Sequence, residues 1–332
     1  MIFLFIYAFF ISLTVLIMVI FLTHKYQLFI DKADTIKPQS FHSDNTPRAG
    51  GIGILTGLIL ISMLALGFKF LLSIFVAFLS GIFEDFHNSL SPKLRLFLQL
   101  LAALSAVFLT DAVVIYLGLG IYMPYWLGII FSIFAIVGMM NAINIIDGFN
   151  GLASGIVLLI LASFSLVGYQ ENDTHILSII SITAGSTLGF FILNFPKGKI
   201  FLGDGGAYLL GFMVAIIGIL LASNYENISP WYILAIFIYP VWEVIFSILR
   251  KLSIGLSPLS PDAYHFHMLI HRQITQNNPY TTLFILVVIT PFMTIATLVH
   301  NQSKANIMIS CSFIVCYLLL YYYLYKKDTQ QR

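Results

Sequence analysis

The stretch Tyr125–Gly151, YWLGIIFSIFAIVGMMNAINIIDGFNG, runs apolar and then breaks into asparagine, aspartate and glycine. Its apolar part has the length of about 20 residues that a helix needs to cross a bilayer. A charge at membrane depth is costly, so an ionisable residue beside a span is a candidate functional residue. The same juxtaposition recurs twice. Glu84–Asp85 closes one apolar run, and Phe201–Gly206, FLGDGG, opens another. The fold class that follows is an all-α polytopic membrane protein with its chemistry collected at helix ends.

Composition agrees. Of the 332 residues, 59% are hydrophobic and only 9% charged, with a mean hydropathy of +0.96. Soluble chains carry about 25% charged residues. A net charge of +2 with no long basic run argues against nucleic acid as a partner. Cys311 and Cys316 lie within one apolar stretch and form neither a disulfide framework nor a metal motif. The N-terminal run from Met1 to Thr23 has no basic leader and no cleavage-like site, so it reads as a retained helix.

Hydropathy marks about eleven segments, roughly 2–23, 50–68, 70–84, 95–113, 124–145, 151–169, 176–195, 205–223, 230–249, 280–299 and 306–325. The link Gly67–Lys69 is very short, and 114–123 reads as a re-entrant piece or a hairpin outside the membrane. With the N-terminus outside, fourteen of the sixteen Lys and Arg residues fall on the cytoplasmic side, leaving only Lys69 and Lys304 outside. That bias gives a cytoplasmic C-terminus. Residues 1–332 then form a single transmembrane catalytic domain, with loops 34–53, 84–95, 141–151, 196–206 and 250–280 all on the cytoplasmic face.

Those loops hold the residues with chemical potential. Asp204 lies in G-D-G-G ahead of an apolar helix, where glycine permits close backbone approach and a helix start favours anions; an N-cap aspartate accounts for the pattern equally well. Asn144 and Asp147 are three apart, hence on one face of a helix. Two carboxylates and an amide suit Mg²⁺, which takes oxygen ligands and keeps waters or substrate phosphates. Glu84 and Asp85 are adjacent, so they diverge by about 100° on a helix and cannot clamp one atom together. His265, His267, His271 and Arg272 form a basic, aromatic cluster after Pro258 and Pro261. Phosphate binding suits it better than Zn²⁺, which needs three or four ligands. Thr46-Pro47-Arg48 followed by Gly50-Gly51 offers a further anion site at a helix start. Glu243, inside an apolar helix three residues after Pro240, requires a partner or a polar cavity.

Five motifs occur in order: HSDNTPRAGGIG at 42–53, EDFHNSLSPKLRLFLQ at 84–99, NAINIIDGFNGLASG at 141–155, NFPKGKIFLGDGGAYLLGF at 194–212, and PVWEVIFSILRK with SPLSPDAYHFHMLIHR between 240 and 272. Together they resemble the polyprenyl-phosphate N-acetylhexosamine-1-phosphate transferases (glycosyltransferase family 4) over nearly the whole chain. The TPR-x-GG start and single H-x-H look closer to the members that initiate O-antigen or teichoic acid than to the peptidoglycan enzyme. The resemblance implies transfer of a sugar 1-phosphate from a UDP-N-acetylhexosamine to undecaprenyl phosphate in the bacterial inner membrane. UMP is released and Mg²⁺ is required; Mn²⁺ in its place and a homodimer are both compatible with it. It further implies that Asp204 and Asp147 hold the metal and that Glu84 and Asp85 match the family's acidic pair, the four together being catalytic. Asn144 and Asn150 go with the nucleotide side. His265, His267 and Arg272 go with the diphosphate and sugar, and His42, Thr46 and Arg48 with the lipid phosphate. Glu84 departs from the more common Asp at its position, Asn150 and Glu243 likewise, and Asp85 therefore ranks above Glu84. The competing reading is a polytopic transporter or flippase, which would favour broken midplane helices and inverted repeats.

Overall fold

Side-chain caps set four of the helix starts. The computed structural model describes residues 1–26, 30–31, 46–65, 67–87, 91–258, 260 and 262–330. In chain order the helices are α1 (Ile2–Tyr26), α2 (Gly50–Leu58), α3 (Gly67–His87), α4 (Pro92–Thr110), α5 (Tyr125–Ile146), α6 (Leu152–Gln170), α7 (Thr174–Asn194), α8 (Gly203–Asn224), α9 (Pro230–Ile236), α10 (Ile238–Ser253), α11 (Phe266–Ile270), α12 (Asn278–Leu298) and α13 (Ser303–Gln330). Ser91 caps α4, Asp173 caps α7, Ser229 caps α9 and Asn277 caps α12, each side chain accepting a backbone N–H of the first turn. Proline follows within the first two positions of α4, α9 and α12, where its missing N–H costs nothing.

Among the described residues nine helices are long and apolar enough to cross a membrane. They are α1, α3 to α8, α12 and α13, so most of the expected spans appear with bounds close to those read from the sequence. Two segments differ. The expected span at 50–68 is only α2 plus a 3₁₀ turn, Ile59–Met63, after which the chain turns at once into α3. Glycine-rich GGIGILTG is a weak helix former. The expected span at 230–249 is broken into α9 and α10, which meet at 75°. Pro240 explains the break: it has no N–H to give the Ile236 carbonyl that ends α9, and its ring collides with that group. The segment 114–123 is a small hairpin, with Tyr116 bridged to Tyr122 and glycines at positive φ at positions 118 and 120.

The helix α8 is the axis of the bundle: eighteen of its twenty-two residues are buried. It packs between α3 and α5, with α2 against its first turn. Outer helices show the reverse. In α1 the buried residues Ala8, Ser12 and Leu16 make one stripe facing α7, and Phe3, Phe10 and Phe21 point away. Small residues let helices approach closely in a bilayer, where apolar burial gives no drive between them. The closest approach supports the site. A Cβ on Gly81 of α3 would stand 2.3 Å from the Asp204 carbonyl carbon, and one on Gly51 of α2 would stand 2.5 Å from the Gly206 nitrogen.

Gly81→Ala should therefore cost about 1–3 kcal/mol, the usual penalty of overpacking. Gly138→Ala, whose Cβ meets nothing within 4 Å, should leave the protein as stable as before. Thermal unfolding of the two variants in detergent checks this.

Candidate active site at the start of α8

The chain enters α8 through Gly203 at φ +74°, a conformation that suits glycine. A Cβ there would strike the Asp85 carboxylate at 2.6 Å. That carboxylate closes the first turn: Asp85 Oδ1 accepts the Asp204 N–H at 2.8 Å and Oδ2 accepts the Gly205 N–H at 2.9 Å. The acid capping α8 thus comes from α3. Asp204 does not cap its own helix, and its side chain faces outward to other partners.

Those partners converge from three directions. Arg95, in the first turn of α4, places Nη1 3.1 Å from Asp204 Oδ2. Arg48, just after the short strand β2 (Thr46–Pro47), places Nη2 3.4 Å from Asp204 Oδ1 and Nε 3.9 Å from Asp85 Oδ1. Asn144, in the last turn of α5, donates Nδ2 to Asp204 Oδ1 at 3.2 Å. Asp147, the next residue after α5, lies within electrostatic range of Asp204 and Arg48. Burial pushes its carboxyl up to about 7; Arg48 draws it down and Asp204 adds to the rise. Among the described residues no hydrogen bond reaches that carboxylate.

Among the described residues no three His, Cys, Asp or Glu side chains gather into a metal cage. Asp204, Asp147 and Asn144 form a smaller oxygen-bearing set. It fits Mg²⁺, which is commonly held by one or two carboxylates with the remaining positions left to water and substrate phosphates. The two arginines supply the positive charge that a diphosphate or a lipid phosphate requires.

A second group of side chains lies where the 262–275 segment meets the turn after α5. His267 is fully buried, and burial pushes its ring down to about 3, so it is neutral. Its Nδ1 lies 3.5 Å from the Tyr239 hydroxyl, while Nε2 has no hydrogen-bond partner among the described residues and faces Gly148, next to Asp147. His265 runs parallel to it, ring centroids 5.4 Å apart. Phe149 lies against both His267 and His271.

Other expected residues do different work. Arg272 is turned to the last helix, with Nε 2.9 Å from Asp328 Oδ1 and Nη1 donating to the Ala263 carbonyl at 2.8 Å. Asn150 donates Nδ2 to the Pro196 carbonyl and its backbone joins Asn278 and Thr282, so it ties its own turn to the loop after α7 and to the start of α12. Glu84 is half-buried, and its Oε2 is enclosed with no hydrogen-bond partner among the described residues. Thr46 is buried in β2, beside Asp31. The anion site expected at the start of α2 is closed, because the Gly50 and Gly51 N–H groups donate to the Phe201 and Leu202 carbonyls. His42 lies outside the described residues. Arg95 was missed as a site residue. Arg95 and Gln99 are four apart on an otherwise apolar helix, and that spacing could have flagged them; Gln99 accepts from Asn141 at 2.8 Å.

A family model, "Glycosyl transferase family 4", matches residues 67–222. A probable undecaprenyl-phosphate N-acetylglucosaminyl 1-phosphate transferase of Bacillus subtilis is 28% identical over 78% of this chain and 75% of its own length. An undecaprenyl-phosphate alpha-N-acetylglucosaminyl 1-phosphate transferase of Thermotoga maritima is 29% identical over 89% and 88%. A phospho-N-acetylmuramoyl-pentapeptide-transferase of Streptococcus pneumoniae is 30% identical over 74% and 83%. The chain belongs to glycosyl transferase family 4. This member of the polyprenyl-phosphate hexosamine-1-phosphate transferase superfamily is a multi-pass membrane enzyme of bacterial type. The matched residues run from α3 to α8 and so contain Asp85, Arg95, Asn144, Asp147 and Asp204.

Asp85→Ala should leave two buried N–H groups at the start of α8 without an acceptor, at about 1–3 kcal/mol for each. Asp204→Ala should be milder, because its partners are half-exposed side chains that can turn to water. Comparing the two unfolding midpoints in detergent tests the capping role directly.

Proposed function

We propose that the protein transfers an N-acetylhexosamine 1-phosphate from a UDP-sugar to undecaprenyl phosphate, releasing UMP, as the first membrane step of a cell-envelope glycan such as O-antigen. The observation that carries this reading is the convergence of Asp204, Asp147 and Asn144 with Arg48 and Arg95 where α3 and α5 end and α4 and α8 begin. The relatives named as undecaprenyl-phosphate N-acetylglucosaminyl 1-phosphate transferases support it and make UDP-N-acetylglucosamine the first donor to try. The same site within the inner membrane would meet a water-soluble nucleotide from one side and a lipid phosphate from the other.

The acceptor needs little activation, since a phosphate monoester with a second pKa near 6 is largely dianionic at neutral pH. The difficulty is to bring that dianion to a diphosphate. Arg48 and Arg95, now paired with Asp204, are placed to take up phosphate oxygens and to hold both anions in line. Asp204 and Asp147, with Asn144 beside them, would hold Mg²⁺ or Mn²⁺, which when bound neutralises the diphosphate and stabilises the departing UMP. Asp85 keeps the Asp204 backbone fixed, and its catalytic role in this reading runs through that rigidity. His267, neutral and with Nε2 unpaired, would contact the sugar or diphosphate from the side of Gly148.

The test is UMP release by detergent-purified protein given undecaprenyl phosphate, Mg²⁺ and a panel of donors. The panel holds UDP-linked GlcNAc, GalNAc, QuiNAc and FucNAc, with a nucleotide carrying the N-acetylmuramoyl-pentapeptide of the pneumococcal relative's name. Lipid-dependent release with an N-acetylhexosamine donor is expected. Asp204→Ala should fall to background, and Arg95→Ala should lose about 10²–10³-fold in kcat, as for removal of one charge-stabilising donor. Near-wild-type turnover by Asp204→Ala would sink the scheme.

A further inference from the structure

Glu243 stands on α10, one turn beyond the break with α9, and is 1% exposed. A buried carboxylate is sustained only by hydrogen bonds or a counter-charge. Three donors reach this one, and two belong to the segment that carries the histidines. Oε1 accepts from His265 Nδ1 at 2.9 Å and from the Phe266 N–H at 3.0 Å. Oε2 accepts from the Tyr317 hydroxyl of α13 at 2.8 Å. The carboxylate therefore joins α10, the start of α11 and the last helix at a single point.

The bond to Nδ1 decides the His265 ring. With a carboxylate as acceptor, Nδ1 carries the proton, and both tautomer and ring plane are set. His267 lies parallel to that plane, with an interplanar angle of 3°. Its own hydrogen bond, to Tyr239 at 3.5 Å, is too long to orient it. His267 Nε2 is held toward Gly148 by the stack on His265, the start of α11 and the edge contact with Phe149, and the first two trace back to Glu243. Further contacts tie the flanks, and one of them also reaches the ring: Asp262 Oδ2 lies 3.7 Å from His265 Nε2. Ser247 and Arg250 hold Asp262, and Tyr321 donates to the Tyr264 carbonyl at 3.0 Å. Burial alone would raise the Asp262 carboxyl, but Ser247, His265, the Tyr264 N–H and Arg250 keep it below its usual value.

We propose that Glu243, gripped by Tyr317 of the last helix, is a positioning residue that fixes His265 and thereby aims the unpaired Nε2 of His267 at the turn bearing Asp147. The consequence for turnover rests on the transferase reading above; the contact itself does not. Outer partners that orient a histidine typically cost 10- to 100-fold when removed. Glu243→Gln keeps the side chain's size and should lower kcat/KM for the UDP-sugar by about 10- to 100-fold, leaving KM for undecaprenyl phosphate unchanged. Tyr317→Phe removes one hydroxyl and should move the same parameter the same way by less.

Two measurements test it. Kinetics of Glu243→Gln, His265→Ala and the double variant form a cycle. If Glu243 acts through His265, adding Glu243→Gln to His265→Ala changes little. Multiplying losses, or an equal rise in both substrates' KM, would overturn the proposal as a general packing defect. Protein labelled with ¹⁵N at histidine supplies a readout free of turnover. A carboxylate-bonded Nδ1 proton should be present in the wild type, lost in Glu243→Gln and shifted in Tyr317→Phe. Absence of that proton from the wild type overturns the proposal. Its presence with no UMP release from any donor would count against the transferase reading while upholding the Glu243–His265 contact.

Discussion

One carboxylate holds the site together. Asp85 reaches from the end of α3 to the first two free N–H groups of α8, a place where a helix presents both unsatisfied donors and the positive end of its dipole. Because α8 is the buried axis of the bundle, fixing its first turn fixes Asp204 relative to every neighbour. The glycines at positions 51, 81 and 203 are consequences of that contact, since a side chain at any of them would push α2, α3 or the Asp85 carboxylate away. The sequence ranks Asp85 among the catalytic residues, and the structure adds that it caps α8.

Charge is arranged around this fixed point in two sets. Near α8, the acids Asp204 and Asp147 are matched by Arg48 and Arg95. Farther out, Asp262 with Arg250, Asp328 with Arg272, and Glu243 with His265 hold the segment between α10 and α12. The second set is structural in its contacts, and two of its acids come from different helices, Glu243 from α10 and Asp328 from α13. The last helix, α13, supplies Tyr317, Tyr321 and Asp328 to it. A helix that looks from composition like a plain anchor thereby becomes a support for the histidines.

The break between α9 and α10 has a similar logic. Pro240 forces the chain to turn by 75°, and the second piece then carries Glu243 under the start of α11. On the bent piece the carboxylate meets its three donors, so a feature favouring a transporter in isolation here serves a loop that faces the Asp147 turn.

Length and hydropathy by themselves determined the all-α membrane class and the bounds of most long helices, because a bilayer demands about 20 apolar residues and satisfied backbone groups. The sequence also pointed to Asp204, Asn144 and Asp147, since polar residues beside spans are rare enough to stand out. It could not tell that Asp85 caps a helix from another segment, that Arg272 turns to Asp328, or that Arg95 rather than an open helix start meets Asp204. It also read 50–68 as a full span, where the helix is short, and 230–249 as an unbroken one, where α9 and α10 meet at 75°. Each of these turns on which helix ends meet in space. Contacts between residues more than a hundred positions apart, such as Arg48 with Asp204 and Arg95 with Asp204, leave no periodicity in the chain, and only the packing of α2, α3, α4 and α5 around α8 decides them.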